Sequence, residues 1–336
     1  MNKKNITIMT IGLALFGVVA AKMGWRGMIE ELKAVWIALP VLVALSAGRL
    51  LLQTMSWKCA LETDGIHTGI GQLMGARVSS KGMGYLSVLG PIVAEPMRIS
   101  LLGKDANAAT SATLIDTGVY WFSSGLFAIL GSLCAVVYMG GHNHTGALIW
   151  LAVSTLIGLV MIARGQALLP GLVKKLGPKA PSWLKKAEEK ELALRSFKNA
   201  HPKQVRRMFW MGIACQVLMV MEIAAIFWAL KMPIHCGMIL ALEAANRVVK
   251  AMGSWVPARI GADETGMAAA FLAFGLPSAS GLALALARRS RDLLEVVIGF
   301  TWLALRSRPA KVQPIKRASR FVVNPRFSPI HSTGSF

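Results

Sequence analysis

The chain has 336 residues, 54% of them hydrophobic and 16% charged, and a formal net charge of +21. Its mean hydropathy of +0.54 excludes an ordinary soluble domain, whose surface is built largely of charged and polar groups. The charge excludes nucleic acid as partner by its distribution: 170–207 holds eleven Lys or Arg against three Glu, and 306–336 seven against none, in Lys- and Pro-rich tracts poor in the aromatics that stack on bases.

The N-terminal run 6–21 follows Lys3 and Lys4 without a small-x-small cleavage site, so it is expected to stay as an anchor. Further apolar runs at 36–57, 112–139 and 147–169 complete four crossings of a first half. A helix rising ~1.5 Å per residue needs runs of this length to cross ~30 Å of hydrocarbon. Continuous runs without period-2 alternation select helices over a barrel. Between the second and third runs, 82–102 is interrupted by Gly90, Pro91, Glu95, Pro96 and Arg98, too broken for an ordinary span.

After the basic stretch 170–207, runs at 208–230, 235–251, 264–275 and 278–306 supply four more crossings, and 253–263 is a second interrupted piece. The fold class is therefore all-α and polytopic, about eight transmembrane helices with two broken or re-entrant segments, consistent with an inverted repeat. The domains are a first membrane half at 1–169, a basic linker at 170–207, a second half at 208–306 and a basic tail at 307–336. Lys and Arg resist translocation, so the N-terminus, linker and tail are expected in the cytoplasm, near anionic headgroups.

Irregular backbone at membrane depth persists only inside protein or beside a wet cavity, which makes the two broken segments candidates for a transport site. The first reads Gly-Pro-Ile-Val-Ala-Glu-Pro-Met-Arg over 90–98; the second reads Pro-Ala-Arg-Ile-Gly-Ala-Asp-Glu over 257–264. Glu95 and Arg98, three apart, are expected to share a helical face as a compensated pair. Glu95 and Glu264 occupy comparable places and are expected to line one cavity. Other ionisable residues inside apolar runs are Arg49, Asp116, Arg164, Glu222, Glu243, Arg247, Lys250, Arg288, Arg289, Arg291 and Asp292. A charge at bilayer depth costs several kcal/mol unless it is paired, faces a cavity or snorkels. The expected substrate-binding set is Arg49, Glu95, Arg98, Arg247, Arg259, Glu264 and Arg288, with guanidinium groups suited to a phosphate.

Catalytic signals are weak. Cys59, Cys134, Cys215 and Cys236 are widely spaced, and His142 and His144 lack a third ligand, so neither disulfides nor a metal is expected. There is no phosphate-cradling loop and no nucleophile beside a base, so neither a cofactor nor a catalytic residue is expected.

Arg49 with Trp57-Lys58, Glu95-Pro96-Met97-Arg98, 257–264, and Gly275-Leu276-Pro277 before a long helix bearing Arg288 together resemble the lysylphosphatidylglycerol synthase transmembrane regions, or flippase-like membrane domains. Some members of that superfamily are associated with hopanoid biosynthesis. The resemblance spans most of 5–306. Val93-Ala94 and Ala258-Arg259 stand where the family has Gly-Gly pairs. What the resemblance implies is a multi-pass protein of the bacterial inner membrane that moves a phospholipid, polyprenyl-linked or hopanoid lipid between leaflets. Only a basic tail follows residue 306, so the aminoacyl-transferase half of fused relatives is expected to be missing. Two other readings stay open: a scaffold for a lipid-biosynthesis enzyme, and a membrane-embedded transferase.

Overall fold

A computed structural model describes residues 25–87, 91–103, 106–139, 196–197, 199–253, 256 and 259–305, with the single residues 153, 155, 156 and 159. The described residues form eight helices: α1 Trp25–Thr63, α2 Ile70–Leu86, α3 Pro91–Ser100, α4 Ala106–Met139, α5 Pro202–Ala229, α6 Cys236–Met252, α7 Ala262–Ala273 and α8 Ser278–Leu305. The expected run 6–21, most of 147–169 and of the linker, the tail, and His142 and His144 lie outside them.

Length and apolarity make three of these helices candidate spans, over Val35–Thr63, Ala106–Val137 and Pro202–Ala229. At 39 residues, α1 is about 58 Å long at ~1.5 Å per residue, well beyond the ~30 Å hydrocarbon layer. α8, as long as α5 at 28 residues, carries Arg288 to Glu295 at its centre, a charge density no lipid-facing span tolerates. Pro202 opens α5, where its missing N–H costs nothing.

Two apolar cores occupy opposite ends of the bundle. One joins Val35 and Leu42 of α1 to Ile223 and Phe227 of α5, Ile239 and Leu242 of α6, Met267 and Phe271 of α7, and Ala283 to Ala285 of α8. The other joins Trp57 and Leu61 of α1 to Leu73 and Ala76 of α2, Leu102 just after α3, Ala112 and Ile115 of α4, and Met208 of α5. α1 and α5 therefore run antiparallel from one core to the other and pack along each other. A layer rich in charge separates the cores.

The short helices form two hairpins. α2 packs on α3, and their outer ends, near Leu73 and Leu102, stand in the Trp57 core. α6 packs on α7, with Ile239 and Phe271 in the opposite core. The two tips meet in the charged layer, where the Arg259 guanidinium lies 5.6 Å from the centre of the Tyr85 ring. The break expected at 82–102 is thus a helical hairpin, and its first arm, α2, is a helix that hydropathy alone passes over. The runs 235–251 and 264–275, expected as two crossings, are instead the arms of the opposed hairpin; α7, at 12 residues, reaches only ~18 Å.

Apolar burial does not drive helices together inside lipid, so close approach and internal polar contacts must. A Cβ on Gly131 of α4 would stand 2.3 Å from the Leu240 carbonyl of α6, and one on Gly281 of α8 2.5 Å from the Met267 carbonyl of α7. Gly131→Val is accordingly expected to push α6 off α4 and cost about 1–3 kcal/mol, seen as a lower melting temperature of the detergent-purified protein; an unchanged value would mean the helices do not approach this closely.

Candidate functional site

The polar layer coincides with the middle of the three candidate spans. Arg49 is central in Val35–Thr63, Gln216 in Pro202–Ala229, and Ser124 close to the centre of Ala106–Val137. Charges at that depth need partners, and the helices supply them to one another.

α8 is the spine. Its Arg288, Arg291, Asp292 and Glu295 recur at helical spacing and so face one way. Arg288 reaches Glu243 of α6 at 3.0 Å and Glu222 of α5 at 3.5 Å, and donates to the Met219 carbonyl at 3.2 Å. Arg291 pairs with Glu222 and, at 2.7 Å, with Asp292. Glu295 takes Arg49 of α1 at 3.4 Å and also Lys81 of α2, and accepts the Ser46 hydroxyl hydrogen bond. Glu243 holds Arg247 at 3.3 Å one turn along α6, and Arg247 donates to Gln216 at 2.6 Å and to Ser124. Glu222 and Glu243 are each only 1% exposed. The part of the network around these two carboxylates is therefore poorly screened, while Lys81 at its edge has a side chain 40% exposed; ion pairs link α1, α2, α5, α6 and α8, and the Ser124 hydrogen bond adds α4.

At the tip of the second hairpin, Arg259 pairs with Asp263 at 2.8 Å. Its φ of 50° lies in the left-handed region, which costs a non-glycine residue about 1–2 kcal/mol; the Asp263 pair and the Tyr85 stack offset part of this. Gly261, at φ 80°, caps α7, and its N–H donates to Glu264 at 2.9 Å. Glu264 is fully buried and also pairs with Arg289 of α8. Its carboxylate is both a helix cap and half of an interhelical ion pair. Between the tips, Tyr85, Asn246, Lys250, Asp263, Arg289 and Asp292 line a pocket of about 10 Å³, the space of a single water.

Of the residues singled out in the sequence, Arg49, Arg247, Arg259, Glu264 and Arg288 all fall in this layer. Arg98 and Glu95 do not. The carboxylate near Arg98 is Asp116 of α4, at 3.5 Å, shared with Arg77 of α2, in place of the expected Glu95. Both guanidinium groups lie over Trp57, at 4.6 and 5.7 Å from its ring, and the Trp57 indole N–H donates to Thr113 at 3.1 Å. Glu95 is half-buried on α3, outside the walls of the Tyr85 pocket, so the single cavity expected between Glu95 and Glu264 is replaced by two separate charged clusters. α3 packs on α2 and α4, whereas α7 packs on α8 and α6, which is why the two carboxylates part. Arg77, Lys81, Tyr85, Gln216 and Glu295 escaped sequence reasoning; the seven-residue step from Arg288 to Glu295 was the available signal for the last of these. Among the described residues no group of His, Cys, Asp and Glu is arranged to hold a metal, and the four cysteines are free thiols.

Apolar spans, paired hairpins from opposite ends and a charged layer at mid-depth define a polytopic α-helical membrane protein. The family model described as the lysylphosphatidylglycerol synthase TM region matches residues 6–299. The chain belongs to that family, and with it to membrane proteins concerned with lipids. No curated protein and no solved structure matches the chain.

Proposed function

We propose that the protein moves a lipid between the leaflets of the bacterial inner membrane, passing the headgroup through the polar layer while the acyl chains stay in the bilayer. The observation that carries this reading is the meeting of two opposed hairpins at a charged, mid-depth pocket. Short helices ending at mid-depth let a site open toward either face by a small shift of one hairpin, so alternate exposure of a fixed site suffices and no covalent step is needed. In this reading Arg49, Arg247, Arg259, Glu264 and Arg288 act in the layer, with Arg98 and Glu95 on the approach to it. Phospholipids, polyprenyl-linked lipids and hopanoids are the candidate cargo classes.

Reconstitution into vesicles carrying a fluorescent lipid, with chemical quenching of the outer leaflet, tests the reading. Glu264→Gln keeps the cap to Gly261 and loses the charge opposite Arg289. It is expected to express normally and to slow lipid movement by about tenfold, the effect of ~1.4 kcal/mol on a barrier. Full activity in this variant would reduce Glu264 to a helix cap, and vesicles in which even the unaltered protein moves no lipid would end the transport reading.

The orientation is part of the same reading: linker and tail face the cytoplasm. Cysteines placed at Lys186 and Lys316 are expected to react with an impermeant thiol reagent only after the cells are opened; labelling of either in intact spheroplasts would reverse the map.

A further inference from the structure

The pairing in the polar layer does not balance. Arg49 and Lys81 share Glu295. Arg288 and Arg291 divide Glu222, Glu243 and Asp292, and Arg247 also uses Glu243. Arg259 has Asp263, and Arg289 has Glu264. Lys250, on the pocket wall, has no carboxylate at ion-pair distance among the described residues. Among the described residues, seven paired cations, with Lys81 partly exposed, and the half-buried Lys250 thus face six carboxylates, an excess of two positive charges at mid-depth, where an uncompensated charge is costly.

Resting on the transport reading, we propose that the headgroup received beside Lys250 is an anionic phosphate, and that zwitterionic or aminoacylated, cationic headgroups are poor occupants. A phosphodiester bearing one negative charge halves the excess and a phosphomonoester bearing two cancels it; a zwitterion leaves it, and a cationic headgroup adds to it. The wall has the matching donors. The Lys250 ammonium and the Asn246 amide lie beside Tyr85 and Arg289 on the same wall, and guanidinium and ammonium groups are the usual partners of phosphate oxygens. The two carboxylates on the wall, Asp263 and Asp292, are engaged by Arg259 and Arg291 and so repel an incoming anion less than free carboxylates would. A phosphate is too large for about 10 Å³, so it enters only when the tips around Tyr85 and Arg259 part. The structure described is the closed state of this site.

Two measurements on the purified full chain test the assignment. The first is the melting temperature in detergent with short-chain phosphatidylglycerol, phosphatidylcholine, lysylphosphatidylglycerol or inorganic phosphate added. Phosphatidylglycerol is expected to raise it at concentrations at least about tenfold lower than the other two lipids, a preference of ~1.4 kcal/mol. Lys250→Gln is expected to raise the ligand-free melting temperature, because a surplus, half-buried charge is gone, and to abolish the phosphatidylglycerol shift, while Lys250→Arg restores it. A merely structural lysine would instead destabilise when removed and leave the lipid shift intact, which would overturn the site. Inorganic phosphate acting as well as the lipid would overturn the lipid source. The second measurement is movement of the same three labelled lipids in phosphatidylcholine vesicles. Preferential movement of phosphatidylglycerol supports the assignment, and equal movement of all three overturns it while leaving transport standing. A phosphatidylglycerol shift in the first measurement with no movement of any lipid in the second supports the anion site and removes the transport reading.

Discussion

Glu222→Ala is expected to cost about 3–5 kcal/mol of stability, the loss typical when one partner of a buried ion pair is deleted. Glu222 is 1% exposed and serves two guanidinium groups, Arg288 at 3.5 Å and Arg291. Its removal strands positive charge in a layer that already carries an excess. Arg291 retains Asp292 at 2.7 Å and Arg288 retains Glu243 at 3.0 Å, so the fold weakens without every pair in the layer being lost. Thermal unfolding of the detergent-purified protein measures the effect, and Glu222→Gln is expected to lose somewhat less because the amide still accepts a hydrogen bond. A melting temperature equal to that of the unaltered protein would mean that water or lipid reaches Glu222 and that the layer is not dry.

The second large effect is expected at Asp116, the carboxylate within ion-pair distance of both Arg77 and Arg98. Asp116→Asn leaves two guanidinium groups facing each other over Trp57, an arrangement that is attractive toward the ring but repulsive between the cations. Loss of about 3–5 kcal/mol is expected. The double variant Asp116→Asn with Arg98→Gln should recover part of it, since fewer uncompensated charges remain buried. Additive losses in a double-mutant cycle would show that the two residues do not act on each other. Glu95→Gln serves as the control, because Glu95 is half-buried and outside the Asp116 pair, and a change well under 1 kcal/mol is expected there.

The membrane class was legible from composition, and the breaks near Pro91 and Gly261 from the collapse of apolar periodicity around Pro, Gly and charge. α2 was not legible. Its sequence mixes Arg77, Ser79, Ser80 and Lys81 with apolar residues, which reads as a polar connection, because hydropathy records the cost of those groups without showing the carboxylates that offset it. The same blindness explains Arg98. Sequence proximity suggested Glu95, three residues away, but the hairpin turns that face of α3 toward α4, where Asp116 stands between two arginines.

By itself the sequence determined what depends on local pattern and on totals: a helical protein for the bilayer, two interrupted elements, and a charged cluster at Arg288, Arg289, Arg291 and Asp292 in the last helix. Only the tertiary structure decided which charge meets which. Arg49 and Glu295, paired at 3.4 Å, lie 246 residues apart, and no periodicity encodes such a pair. Tertiary packing also decided that 235–251 and 264–275 form one hairpin with its tip against Tyr85. The physical reason is that a buried ion takes its energy from whatever the folded chain brings within ~4 Å, whereas a hydropathy run depends only on its own residues.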